Sequence, residues 1–267
     1  RDASRRLFRR PPKVAALVSI YRAGDWIEGC LEDLIGQSLF DRGELEIVLV
    51  DANSPDGERE KIREVQRKYP SRIRYRRTRD QVTLYEAWNI GITLSAARYL
   101  TSANVDDRHA PECLERLADF LDRNPDVGLV YADQWITGNP NETFLRHSPT
   151  LRWNWPVFDR KILQRRCIVG PQPVWRRSLH YRHGLFDPDF RSAGDWEFWL
   201  RASAFTEMRK LDETLGLYFR NPDGLESSNP KGLEEVARIR ERYQLHDVPT
   251  EATVPQPVTG DPADRTG

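Results

Sequence analysis

Short, unbroken apolar runs that alternate with helically spaced stripes constrain this chain more than any other feature. Val14 to Ile20 (VAALVSI), Leu45 to Val50 (LEIVLV) and Val127 to Ala132 (VGLVYA) carry almost no polar alternation. Such runs read as strands buried on both faces of a sheet. Tyr99 to Ser102 and Ile73 to Tyr75 read as shorter strands. Between them lie stripes at helical spacing: Ile27, Cys30, Leu31, Leu34 and Ile35, then Ile62, Val65 and Tyr69. Leu84, Ala87, Trp88, Gly91 and Leu94 form a third, and Leu114, Leu117, Ala118 and Leu121 a fourth, after Pro111. Asp25-Trp26-Ile27-Glu28 reads as a capping box at the head of the first helix. The alternation places the chain in the α/β class, with a mostly parallel central sheet and helices on both faces.

Sheets of that kind bind ligands at the carboxyl ends of their strands. The rule selects Ile20-Tyr21-Arg22, Asp51-Ala52-Asn53-Ser54 and the segment from Ser102 to Asp107, all polar where strands stop. The second half is less regular. Residues 134–160 read as a loop-rich excursion, and Pro173 to Trp175 as a strand. Arg176 to His183 reads as a short helix closed by Gly184. Trp196, Trp199 and Leu200 predict a helix after Gly194, Leu215 to Phe219 a strand, and Leu233, Val236, Ala237 and Arg240 a late helix. From about Val248 the composition reads as a disordered tail.

Composition removes several function classes. Lysine plus arginine number 41 and aspartate plus glutamate 41, so the chain has no net charge to attract a polyanion. Nucleic acid is therefore not an expected partner, and the arginine-rich stretch Arg72 to Arg79 reads as a strand or edge with a solvated basic face. Cys30, Cys113 and Cys167 form no CxxC pair and no metal-ligand spacing, which fits a reducing compartment. No run is long and apolar enough to span a bilayer. The chain opens at Arg1 and reads as a piece of something longer, with any anchor outside it. A cytoplasmic protein is expected, placed at the inner face of a membrane through regions outside this chain. GxGxxG, GxxxxGK[ST] and GxSxG patterns are all missing.

Three segments carry chemistry. In Ala103-Asn104-Val105-Asp106-Asp107-Arg108, oxygen ligands cluster at a strand end, which suits a hard divalent cation or an acidic turn capping the next helix. Asp51 ends a buried strand, where its carboxylate can accept a hydrogen bond from a nucleobase or close an Asx turn. Tyr21 offers an aromatic face at the equivalent place. In Gly194-Asp195-Trp196-Glu197, Asp195 is either a helix cap or a carboxylate positioned to take a proton from a hydroxyl.

Four pieces in this order resemble the inverting family 2 glycosyltransferases: VSIYRAGDWIEGCLEDLIGQ, IVLVDANSPD, LYEAWNIGITLSAARYLTSANVDDRHAPECLE and FRSAGDWEFWLR. The resemblance covers about Val14 to Ser228 and implies a GT-A fold. Residues 13–133 would form the nucleotide-sugar-binding half, and 134–247 the acceptor-binding and catalytic-base half of the same domain, after an extension at 1–12. It implies that Tyr21 and Asp51 hold the base of a nucleotide-diphosphate sugar, a UDP-sugar being favoured. Asn104-Val105-Asp106 would occupy the DXD position, with Asp106 binding Mg2+ or Mn2+ and Asp107 beside it. Asp195 would be the general base at a glycan or other saccharide acceptor. Arg220, within Tyr218-Phe219-Arg220, and Ser227 or Ser228 would lie near the donor phosphates. Trp153, Trp155, Gln172, Trp175 and Arg176 fall where this family meets its acceptor, and contact a glycan or pack the interior.

The chain departs from the family pattern at Asn104, an amide where the first DXD aspartate stands, which brings oxygen without charge. Two rivals remain. A sugar-nucleotide nucleotidyltransferase calls for a Gly-rich loop and a phosphate-binding lysine after the first strand, where this chain has Tyr21-Arg22-Ala23-Gly24. A non-catalytic module that binds a sugar or nucleotide sugar would use the eight tryptophans as platforms, although most sit at core spacing.

Overall fold

The structure is a computed structural model that describes residues 11–148, 151–222, 224, 230–245 and 258–259. Strand β1 (Val14–Ile20) is buried at every position but Ser19. Its side chains alternate between the faces of the sheet, as the pleat requires. Ala15 and Leu17 enter one hydrophobic core, while Val14, Ala16, Val18 and Ile20 enter the other. β2 (Leu45–Asp51) divides likewise and pairs with β1 in parallel, from Val14 opposite Leu45 to Ile20 opposite Asp51. β3 (Ile73–Arg77) and β4 (Tyr99–Ser102) extend the parallel group on either side.

Helices α1 (Ile27–Ile35), α2 (Ser38–Asp41), α3 (Glu58–Lys68) and α5 (Cys113–Arg123) cover one face, and α4 (Leu84–Leu94) covers the other. Each fully buried Leu, Ile or Val in these cores contributes about 1.5–3 kcal/mol by leaving water. α4 packs close because Gly91 has no side chain: a Cβ there would stand 3.0 Å from Leu17.

Past β4 the sheet is mixed rather than parallel. The strands order as β10-β7-β6-β8-β4-β1-β2-β3, with β6 (Val127–Thr137), β7 (Leu151–Trp153), β8 (Val174–Arg176) and β10 (Val258–Thr259). β8 runs antiparallel to both β4 and β6. β9 (Glu207–Phe219) lies parallel to β6 and pairs with the short β5 (Arg108–His109) in the antiparallel sense. Helices α6 (Arg160–Leu163), α7 (Ser178–His183), α8 (Gly194–Ala202) and α9 (Gly232–Arg242) complete the described elements.

Several local expectations need correction. The pattern at Asp25 forms no side-chain cap; α1 begins after Trp26. A full capping box stands instead at Thr83 and Glu86 on α4. β6 runs unbroken through 133/134, and β9 begins at Glu207, well before Leu215. On α9, Leu233 is 86% exposed while Glu235 and Ile239 are buried. Gly184 closes α7 with φ 79°, as expected of a helix-ending glycine. The expected extension at 1–12 and tail at 248–267 fall largely outside the described residues. Among those residues, no helix is long and apolar enough to cross a membrane.

Candidate active site

One edge of the sheet collects the polar strand ends. Ser95, just past α4, hydrogen-bonds to Glu46 at the start of β2 through its Oγ, at 2.7 Å. The opposite end of α4 therefore lies at the carboxyl edge of the parallel strands. There the Tyr85 hydroxyl, in the first turn of α4, donates to Oδ1 of Asp195 at 3.1 Å. Asp195 thus shares an edge with Tyr21 after β1, Asp51 at the end of β2, and the 103–107 loop after β4.

That loop is held from several directions. Asp107 is buried, with Oδ1 accepting from the Phe219 backbone N–H at 3.2 Å and Oδ2 from the Asn104 amide at 2.9 Å. Asp106 is half-buried, and Oδ2 accepts from the Asn221 amide at 3.0 Å. Burial, then the charge of Asp106, pushes the Asp107 carboxyl well above the usual carboxylate range. Beneath them the buried Arg108 guanidinium donates to the carbonyls of Val105 (2.9 Å) and Asp107 (2.7 Å), and to Asn141 (3.0 Å). Arg108 is thus the strut of the loop, a role that its place in the sequence did not signal. Asn104 spends its N–H on Asp107.

The donor set suits a hard divalent cation: oxygen ligands only, with two neighbouring carboxylates whose repulsion a cation relieves. Among the described residues no three His, Cys, Asp or Glu side chains cluster to hold a metal by themselves. An ion at Asp106 thus needs further oxygens from a ligand, as Mg2+ does when it bridges a carboxylate and substrate phosphates.

At the end of β2, Asp51 is fully buried and heavily engaged. Oδ1 accepts from the Ser54 backbone N–H at 2.8 Å, and Oδ2 from Arg77 (2.7 Å) and Tyr75 (2.5 Å). Burial, followed by the bond to Asp51, pushes the Tyr75 phenol up to about 12. Arg77, read from sequence as part of a solvated face, instead ties β3 to this loop, also binding Asn53 and the Ser54 carbonyl. Tyr21 is 38% exposed, with the Arg22 guanidinium 5.6 Å from its ring centre.

Asp195 stands in the first turn of α8, beside Gly194. A Cβ on Gly194 would meet the Tyr85 ring at 2.7 Å, so glycine is what lets α8 approach α4. The chain entering α8 is fixed from α9. Glu235, only 5% exposed, accepts from the backbone N–H groups of Arg191 (2.7 Å), Ser192 (3.0 Å) and Ala193 (3.0 Å). An acidic side chain from a distant helix thereby does what a local cap usually does. Glu197 is drawn into the same junction, pairing with Arg201, Arg242 and the Tyr243 hydroxyl. Glu235→Gln is expected to cost about 1–3 kcal/mol, because an amide N–H then faces backbone donors. Urea unfolding of the two proteins measures it; an unchanged midpoint would show that the cap contributes nothing.

The remaining expected residues divide. Trp175 is fully buried among aromatic rings, and Arg176 donates to the carbonyls of Leu121, Asn124 and Val127. Trp153 stacks on Tyr218 with ring centres 4.6 Å apart, Trp155 bonds to Gln134, and Gln172 donates to the Arg108 carbonyl. All five are thus engaged within the protein, four of them buried and Arg176 partly exposed. The Nδ1 of His109 pairs with Asp33 on α1 at 2.7 Å. Arg220 is exposed just past β9, one residue before the Asn221 that touches Asp106. Ser227 and Ser228 lie outside the described residues.

The sequence profile of Glycosyl transferase family 2 matches residues 16–180, more than half of the chain. The chain belongs to glycosyl transferase family 2. Among curated relatives, the Bacillus subtilis "uncharacterized glycosyltransferase EpsJ" is 28% identical over 80% of this chain and 63% of its own length. A Mycobacterium tuberculosis "PGL/p-HBAD biosynthesis glycosyltransferase" is 25% identical over 71% of this chain and 69% of its own. The chain thus spans less than two thirds of EpsJ.

Among solved structures, Staphylococcus aureus TarS 1-349 with UDP-GlcNAc superposes with TM-score 0.69 at 17% identity, over 90% of this chain and 68% of that one. A Pyrobaculum calidifontis mannosyltransferase with GDP-Man and Mn2+ gives 0.67 at 17%, over 92% and 66%. These likenesses establish the GT-A fold. The family 2 profile spans the Tyr21, Asp51 and 104–107 loops but ends before Asp195 and Arg220.

Proposed function

We propose that the chain is an inverting glycosyltransferase that moves a sugar from a nucleotide-diphosphate donor, a UDP-sugar being favoured, to a hydroxyl of a saccharide acceptor. One observation carries this reading: the Asp106 loop and Asp195, 89 residues apart by their numbers, stand on the same carboxyl edge with the base-side residues Tyr21 and Asp51. The relatives' glycosyltransferase names and the UDP-GlcNAc and GDP-Man bound in similar folds support it.

Tyr21 stacks on the nucleobase. Asp51, buried behind the base, holds Arg77 and the Ser54 turn in place around the base edge. Asp106 holds Mg2+ or Mn2+, which when bound offsets charge on the departing diphosphate. Arg220 adds a cation on the same side. Asp195 accepts the proton of the acceptor hydroxyl as that oxygen bonds to the anomeric carbon, opposite the nucleotide. The bond from that carbon to the β-phosphate oxygen breaks, and its electron pair leaves with the nucleoside diphosphate. Inversion follows from the single displacement.

A panel of UDP-glucose, UDP-galactose, UDP-GlcNAc and GDP-mannose, each with and without Mn2+, tests the donor class. A true donor at 100 times its Kd stabilises the fold by about 2.7 kcal/mol, seen as a rise in Tm. Slow metal-dependent release of nucleoside diphosphate then separates an enzyme from a module that only binds. A panel with no stabilisation and no release would sink the reading.

A further inference from the structure

A side chain from a different part of the fold reaches Asp195. Tyr85 and Asp195 are 110 positions apart, yet the phenol of one reaches Oδ1 of the other at 3.1 Å. The same oxygen accepts the Trp196 backbone N–H at 2.8 Å. Two donors converging on one carboxylate oxygen fix the rotation of the carboxyl group as well as its place.

Tyr85 is itself held rigidly. It is 1% exposed, and its ring packs edge-on to Trp88 with centres 5.3 Å apart and against Phe186 at 5.8 Å. Its ring also fills the space above Gly194. Burial, then the negative charge of Asp195, pushes the phenol well above its ordinary range, so it stays a proton donor at every working pH. A hydroxyl of this kind cannot compete with Asp195 for a proton. It can only hold the carboxylate in place by donating to it.

We infer that Tyr85 is a positioning residue for the reaction: its hydroxyl orients the Asp195 carboxylate toward the acceptor hydroxyl. This rests on Asp195 being the base, as proposed above. A buried phenol needs some acceptor, and Asp195 would meet that need even without catalysis. The two cases part in kinetics. If Tyr85 serves only the fold, losing its hydroxyl changes stability and leaves turnover alone. If it orients the base, turnover falls while donor binding stays, since misplacing a reacting group raises the barrier without touching ground-state contacts.

Tyr85→Phe keeps the ring, its aromatic neighbours and the Gly194 contact, and removes only the hydroxyl. The test compares wild type, Tyr85→Phe, Asp195→Asn and the double variant on the member of the sugar-nucleotide panel that is turned over with Mn2+, using single-turnover release of nucleoside diphosphate for the slow variants. Tyr85→Phe is expected to lower kcat about 10- to 100-fold with donor KM within about twofold. In the Asp195→Asn background the same change is expected to have almost no further effect, because the group it acts through is gone. Wild-type kcat in Tyr85→Phe, or an equal loss in both backgrounds, overturns the inference while the base assignment stands. Full turnover in Asp195→Asn overturns the base assignment itself.

Discussion

Asp195→Asn is expected to lower turnover by roughly 10²- to 10⁴-fold and to leave donor binding nearly unchanged. The substitution is close to isosteric, so Tyr85 and the Trp196 N–H still find an oxygen to bond, and α8 keeps its place against α4. What disappears is the ability to take a proton. An acceptor hydroxyl is a weak nucleophile until its proton has somewhere to go, and the Tyr85 phenol beside Asp195 cannot substitute, because it already carries its own proton and donates it. In the proposed function, donor affinity depends instead on the Asp51 and Asp106 loops, at the ends of β2 and β4. Calorimetric titration with the donor, beside single-turnover rates, separates the two effects. Normal turnover would remove Asp195 from the mechanism, and lost donor affinity would move it to the donor side.

How much of this was legible depended on whether a residue's neighbours in sequence are also its neighbours in space. β1 and β2 announced themselves because a strand buried on both faces must be apolar at every position, a local requirement. The capping pattern at Asp25 misled, since the same letters serve two backbones. Trp26 enters α1 with helical φ −111° and ψ −30°, whereas Thr83 enters α4 extended at ψ 168°, the geometry in which a side-chain oxygen reaches the N3 amide. Glu235 was invisible for the opposite reason. It reads as a solvated charge on a late helix, and only the fold brings it to the amides of 191–193, more than forty residues upstream. Arg77 and Arg108 failed to signal in the same way, because a buried ion pair or strut is written in the partner's position. β9 hid its first half because charged residues at its exposed positions left Met208 as the lone buried mark between Glu207 and Thr214. The places of Tyr21, Asp51, the 104–107 loop and Asp195 along the carboxyl edge were legible because strand ends and helix starts are local signals with a fixed place in this architecture.

The two adjacent carboxylates of the 103–107 loop are expected to respond to substitution in opposite ways. Asp107 is buried with both oxygens committed inside the protein, one to the Phe219 amide of β9 and one to Asn104. Removing it strands those donors, and Asp107→Ala is expected to lose about 1–3 kcal/mol of stability. Asp106 is half-buried, and among the described residues its Oδ1 accepts no hydrogen bond, while Oδ2 bonds only to Asn221. Asp106→Ala is therefore expected to fold with nearly unchanged stability and to lose metal-dependent donor binding altogether. In the wild type, Mn2+ should tighten the donor by about a hundredfold or more, because a cation held by Asp106 would offset the repulsion between that carboxylate and the donor diphosphate. Asn104 cannot replace Asp106, since its N–H is already turned to Asp107 and its oxygen carries no charge. Calorimetry of donor binding with and without Mn2+ on both variants, beside thermal melts, reads the contrast directly. If Asp106→Ala kept the full Mn2+ enhancement, the cation would have to be held elsewhere on the sheet edge, and the donor would have to lie differently over β1 and β4.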